Sequence, residues 1–318
     1  MTEDSAQTTS PDPRESAALA SLTAGIDADV RHHFAEIDGL RIHYAEAGSG
    51  DPLILLHGWP QHWWEWRQLI GPLAQRYLVI CPDIRGMGWS QGPTTGYTFE
   101  RLARDLLELM DQLGVRQTRL VGRDWGLVIG YRACLNWPDR FTQFVALAGV
   151  HPWTVLGATL PVYTRPWHVY ALAALGRSRS LQSRLIARSF HAWRHQGQFT
   201  DDEIDVYLRR MRTPDAFSAT LGFNRNLMVH EVPHFARHYR MLRLRVPTLH
   251  LNGDRDPLSA GVPESYCDYA EHMSLEQVAD CGHFVSEEQP DVLAGRLLQF
   301  FDAPTEHGRL PCLAETRG

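Results

Sequence analysis

The sequence predicts an α/β domain, a mostly parallel sheet flanked by helices, with a helical cap inserted into it. Three observations point there. Two short runs, PLILLHGW at 52–59 and YLVICPDI at 77–84, are apolar without alternation, as strands buried on both faces are. Strand-like runs then alternate with helix-like ones, the order that builds a parallel sheet. The alternation stops near residue 151 and resumes near 246, so something helical interrupts it.

Taken in order, residues 1–27 are rich in Ser, Thr, Pro and Asp and are expected to be a mobile tail. VRHHFAEI and LRIHYAEAG flank Asp38-Gly39, a hairpin dipeptide. Between the two buried strands, HWWEWRQLIGPLAQR (62–76) has helical spacing. Residues 98–114 give the clearest helix: Leu102, Leu106, Leu107, Met110 and Leu113 share a face, Thr98 starts it and Gly114 ends it. TRLVG (118–122) is a strand, WGLVIGYRACLNW (125–137) a helix and FVALAGV (144–150) a strand. Residues 151–240 hold helix-like segments rich in Arg, His, Trp and Tyr. Strand signals return with VPTLHLNGD (246–254) and SLEQVADCG (274–282), and DVLAGRLLQFF (291–301) is a last helix. The expected domains are therefore a core of 28–150 and 241–302, a cap of 151–240, and a loose C-terminal tail of 303–318.

The chain has 318 residues, 44% hydrophobic and 21% charged, which suits a soluble globular protein of one large domain or one domain plus an insertion. A net charge of −6 gives no reason to expect nucleic acid or an anionic membrane as partner. No apolar run approaches the roughly 20 residues that span a bilayer, and MTEDSAQTTSPDPRESAALASL lacks the pattern of a secretory signal. The five cysteines (Cys81, Cys134, Cys267, Cys281, Cys312) are odd in number and form no CxxC pair, so they read as reduced thiols of a cytoplasmic protein. A homodimer is left open.

One stretch is odd for a buried strand and helix. RLVGRDWGLVIG (119–130) places Asp124 inside an apolar run, where an unpaired carboxylate would be costly. Gly122-Arg123-Asp124-Trp125-Gly126 explains it as small-x-nucleophile-x-small between a strand and a helix, the form of a nucleophile elbow. The turn lifts the middle side chain to the sheet end beside a helix N-terminus, which favours negative charge. The partners such a nucleophile needs follow in the order acid, then histidine. Asp254-Arg255-Asp256-Pro257 follows one strand, and Asp280-Cys281-Gly282-His283-Phe284 follows the last. His57-Gly58-Trp59-Pro60 lies where a backbone N–H would join that of the residue after the nucleophile, which makes the Trp59 and Trp125 amides the expected oxyanion hole.

Together, HGWP, the segment Asp83-Ile84-Arg85-Gly86-Met87-Gly88-Trp89-Ser90, GRDWG, GDRDP and GHF resemble the α/β-hydrolase superfamily, in its Asp-nucleophile branch and most like the epoxide hydrolases. The resemblance covers residues 28–302. It implies an α/β-hydrolase core under a helical cap and a cofactor-independent hydrolase without metal. Its Gly-x-x-Asp pattern selects Asp256 over Asp254 as the acid. It implies that Asp124 attacks a substrate carbon to give an alkyl-enzyme ester. His283, oriented by Asp256, then activates the water that cleaves it. An aspartate suits such chemistry because its alkyl ester can be hydrolysed, whereas a serine would leave an ether. The substrate implied is a small apolar epoxide, opened to a vicinal diol.

In the epoxide hydrolases two cap tyrosines hold the ring oxygen. The corresponding region here, TRPWHVYALAALG, offers Tyr170 and, by alignment of the ALAALG run, His168; GFNRNL offers Asn224 before Arg225, an amide in place of a phenol. Haloalkane or haloacetate dehalogenases use the same triad, and Trp167-His168 would suit a halide, so a dehalogenase is the alternative. A third class, a zinc hydrolase, is raised by His230-Glu231-Val232-Pro233-His234, which matches H-E-x-x-H. Pro233 inside the required helical turn argues against it.

Overall fold

A computed structural model describes residues 11–153, 179–195, 199–227, 239–259, 266, 268–270 and 272–303. Its centre is an eight-stranded sheet. The strands are β1 (Arg31–Ile37), β2 (Leu40–Gly48), β3 (Asp51–Leu56), β4 (Tyr77–Pro82), β5 (Thr118–Arg123), β6 (Phe141–Leu147), β7 (Thr248–Gly253) and β8 (Met273–Val278). They lie in the order β1-β2-β4-β3-β5-β6-β7-β8. β1 and β2 form the expected hairpin, with Ile37 opposite Leu40, and β2 runs antiparallel to β4. From β4 to β8 every neighbouring pair is parallel. The apolar runs are buried as read, with Leu53, Ile54 and Leu55 fully so.

Helices cover both faces. On one lie α3 (Phe99–Gln112) and α4 (Trp125–Asn136); on the other, α2 (Arg67–Ala74) packs against α9 (Pro290–Asp302). α3 begins where Thr98 accepts from Arg101 N at 3.1 Å and buries Leu102, Leu106, Leu107 and Met110. The aromatic run before α2 is tighter than a continuous α-helix: Trp63–Trp66 is a 3-10 turn.

α1 (Pro13–Thr23) replaces, over residues 13–23, the mobile tail expected for 1–27. Asp12 and Glu15 form a reciprocal capping box with Pro13 in the first turn, a start signal present in the sequence. Leu19 is buried, Glu15 pairs with Arg41, and the Trp64 indole donates to Leu22 O at 2.9 Å.

Between β6 and β7 the chain inserts helices α5 (Arg179–Trp193), α6 (Asp201–Met211) and α7 (Pro214–Asn226). α6 carries a Thr200–Glu203 capping box, and Phe190, Phe199, Tyr207 and Phe223 are fully buried. A short helix α8 (Val285–Glu288) precedes α9. Because the core strands are parallel, their C-terminal ends converge under this insertion. That is where open α/β sheets place their sites.

Candidate active site

At the end of β5 the chain turns sharply into α4, and the turn residue is Asp124, at φ 50 and ψ −108. A side chain accepts that left-handed φ only where surroundings enforce it. The two glycines of the motif supply the room. A Cβ on Gly122 would lie 2.3 Å from Gly126 O, and one on Gly126 2.3 Å from Leu56 O. The elbow is therefore held against the end of β3. Asp124 N donates to Leu147 O at 3.0 Å, tying the turn to β6 as well. The Asp124 side chain remains 16% exposed, so the carboxylate stands at the sheet edge and not in the apolar interior.

Three residues from separate strand ends meet there. Asp124 Oδ1 accepts from Trp59 N at 3.0 Å. Asp124 Oδ2 lies 3.5 Å from His283 Nε2. His283 Nδ1 lies 3.2 Å from Asp256 Oδ2. Asp256 is buried and also accepts from Leu258 N at 2.9 Å and from the Ser259 hydroxyl. Burial would neutralise Asp256, but the facing imidazolium and these donors hold its carboxyl below the ordinary range. Burial also works against a charged His283. Asp256 and Asp124 overcome it and raise His283 from 6.5 to about 9. The 3.5 Å approach leaves Nε2 without a hydrogen-bond partner among the described residues.

Asp254 lies apart from this chain. Its Oδ1 accepts from Cys281 N at 3.2 Å and its side chain faces Arg255 at 3.6 Å. The Trp59 amide sits where the oxyanion donor is expected, while Trp125 opens α4 directly after Asp124. His168 and Tyr170, with Trp167 and the His230–His234 motif, lie outside the described residues. Among the described residues no group of three or more His, Cys, Asp or Glu side chains could hold a metal ion.

The walls are aromatic. Trp59 and Trp125 stack with centroids 6.0 Å apart, and Trp193 of α5 meets Trp59 at 6.0 Å and His283 at 5.3 Å. Phe223 of α7 lies 4.0 Å from Trp125. Asn224 is buried, but its Nδ2 donates to Thr220 O at 2.7 Å. One of the two N–H groups of the amide expected to face the ring oxygen is thus engaged by its own helix.

The structure adds residues that sequence reasoning missed. Glu288 accepts from the amides of Gly282 and Phe284, on either side of His283, and from His195 N. His283 N itself donates to Trp193 O at 3.0 Å. The histidine loop is thus clamped to the inserted segment. Arg123, beside Asp124, is fully buried and paired with Glu65 at 2.9 Å. Glu65 also accepts from Gly58 N at 3.3 Å, so the pair fixes the loop that carries the Trp59 amide. Desolvation raises Glu65 to about 7 despite the guanidinium. Gln61 joins Arg123 to Glu287, which also meets Arg67 and Tyr207 of α6. Nothing in the spacing of Glu65, Glu287 and Glu288 marks them; only the fold makes them neighbours.

Residues 51–290 match the family model described as alpha/beta hydrolase fold, and the chain belongs to that family. Its relatives narrow the class. The soluble epoxide hydrolase of Corynebacterium sp. (strain C12) is 28% identical over 286 residues, 87% of this chain and 99% of that one. Epoxide hydrolase 4 of Mus musculus is 25% identical over 287 residues, 84% of this chain and 78% of that one. The solved structure of the epoxide hydrolase CorEH superposes with a TM-score of 0.71 at 28% identity, covering 86% of this chain and 99% of that one. This chain is an α/β hydrolase related to the epoxide hydrolases. Among its described residues no helix is long and apolar enough to cross a membrane.

Proposed function

We propose that the chain is an epoxide hydrolase working through an ester on Asp124. The observation that carries this is the continuous line Trp59 N–Asp124–His283–Asp256, with one carboxylate oxygen held by an amide and the other left toward the histidine. Asp124 Oδ2 attacks a ring carbon and the carbon–oxygen bond breaks. The ring oxygen takes a proton from a cap donor, for which His168 and Tyr170 are the candidates. Esterification removes the charge of Asp124, one of the two groups that keep His283 protonated. His283 then gives up its proton, which restores the cap donor, and becomes a base. It draws a proton from water. The hydroxide adds to Cγ, and the negative charge forming on Oδ1 meets the Trp59 N–H and that of Trp125. Collapse expels the diol oxygen, which takes the proton of the new carboxyl group. Asp124 returns as carboxylate and His283 as imidazolium.

The relatives with matching activity names support this reading. Against carbon–halogen cleavage stands the Trp59 indole, whose N–H is engaged by Thr220 Oγ1 at 3.3 Å and so does not point at a halide. The test is trapping. His283→Gln removes the base but leaves the nucleophile. Incubated with matched panels of epoxides and organohalides and weighed intact, it gains the whole mass of an epoxide, mapped to Asp124. A gain of organohalide less HX instead would assign a dehalogenase, and no adduct would remove Asp124 as nucleophile for both.

A further inference from the structure

The helix that carries Asn224 presents a buried acceptor. Asn224 is 1% exposed, and its Oδ1 has no hydrogen-bond partner among the described residues. The orientation of the amide is fixed by its neighbour: Thr220 O can only accept, so the nitrogen must face it. Oδ1 is the atom left over. A buried polar atom without a partner has lost its hydration and gained nothing in return, so an acceptor kept in such a place calls for a donor.

The position of Asn224 says where that donor comes from. Thr220 and Asn224 are one turn apart and share a face of α7. On that face Thr220 Oγ1 meets the Trp59 indole, while the adjacent Phe223 lies against Trp125. Trp59 and Trp125 are the residues that flank Asp124. The face of α7 that carries Asn224 therefore covers the nucleophile.

We propose that Asn224 Oδ1 is a specificity-determining acceptor for a hydrogen-bond donor on the substrate, a hydroxyl or an amide N–H. The preferred substrate class is then an epoxide carrying such a donor near the ring, not a wholly apolar epoxide. This rests on the epoxide reading for the reactive group, while the acceptor itself is independent of which bond is broken. A site built to receive a donor rejects analogues that lack it, because the acceptor is then buried unpaired.

The test uses unreactive ligands, so it does not depend on turnover. Hexan-1-ol and its isomer 1-methoxypentane have the same heavy-atom count and differ in the O–H. Binding to the full chain is followed by fluorescence of the tryptophan-lined site, and then to Asn224→Leu and Asn224→Ala, each checked for an unchanged melting temperature. The expected result is at least tenfold tighter binding of the alcohol by the unmodified chain and equal binding of the two by the variants. Equal binding by the unmodified chain overturns the proposal whatever the variants do, as does a preference that survives both substitutions. Failure to trap an epoxide ester on His283→Gln would instead fall on the reaction, and leave this outcome standing by itself.

Discussion

Among the described residues two buried Asp–His pairs are hydrogen-bonded, and they face different surroundings. Asp256 faces His283 at 3.2 Å, and Asp83 faces His43 at 2.7 Å. Both histidines are fully buried. The difference lies in what the second ring nitrogen meets. His283 Nε2 meets Asp124, a carboxylate with solvent access. His43 Nε2 meets His32 at 3.0 Å, which in turn meets Thr23 of α1 at 2.9 Å. Asp83 also accepts from the Trp63 and Trp89 amides, at 2.8 and 2.9 Å. One pair ends in a partly exposed carboxylate at the sheet edge. The other ends in the last residue of α1 and fastens the hairpin, the aromatic run and the 83–90 loop together. An Asp–His pair becomes a candidate for catalysis through the third group it faces.

That contrast can be broken by substitution. The largest effect belongs to Asp124→Ala, which should lower turnover of a trapped substrate class by about 10⁴-fold or more while leaving the melting temperature close to that of the unmodified chain. An activity loss of less than tenfold would end the role given to Asp124. Next, Asp256→Asn should slow ester hydrolysis by about 10²–10⁴-fold, read as accumulated adduct by intact mass, because the imidazole loses its orientation and charge support. Asp83→Asn should show the reverse pattern. It leaves buried donors poorly matched and should cost about 3–5 kcal/mol of stability in chemical denaturation, with catalysis per folded molecule little changed. If Asp83→Asn were to alter the adduct kinetics more than the stability, the distinction between the pairs would fail.

The smallest effects are in pH dependence, and the two regions have opposite signs. His283 is raised from 6.5 to about 9 in the fold, so its stabilisation is complete below pH 6.5 and is lost as pH rises through 9. His32 is lowered by burial to about 3, with His43 beside it adding to the effect. The unfolded chain takes up that proton below pH 6.5 and the folded one does not, so stability falls as pH drops from 6.5 toward 3. Melting temperatures measured from pH 4 to 10 should decline on both sides. His283→Gln should reduce the alkaline limb alone, and His32→Gln the acid limb alone, to which buried His62 and His250, also lowered to about 3, contribute as well. Crossed assignments would show that other groups dominate each limb.

The sequence by itself determined the order of elements and singled out Asp124, Asp256 and His283, which the fold brings together. Strands buried on both faces leave unbroken apolar runs, as at 52–56 and 77–81. The elbow announces itself because two glycines bracket an acid where no apolar strand would keep one. The Gly-x-x-Asp spacing separated Asp256 from Asp254 before geometry did. Even α1 was written in Asp12, Pro13 and Glu15, although the polar composition around it pointed to a tail. What only tertiary structure decided were relations between distant residues. Asn224 was legible as an amide in place of a phenol, but which of its atoms is spent depends on Thr220 O one turn away in the folded helix. Arg123 was visible beside Asp124, and its partner Glu65 was not, because an ion pair leaves no spacing signature when its members sit 58 residues apart. Glu288 became a clamp for the His283 loop only when the insertion was packed against it. Local pattern records propensity and period. Which polar atoms are satisfied, and which are left to receive a substrate, is settled only when the whole chain is closed around them.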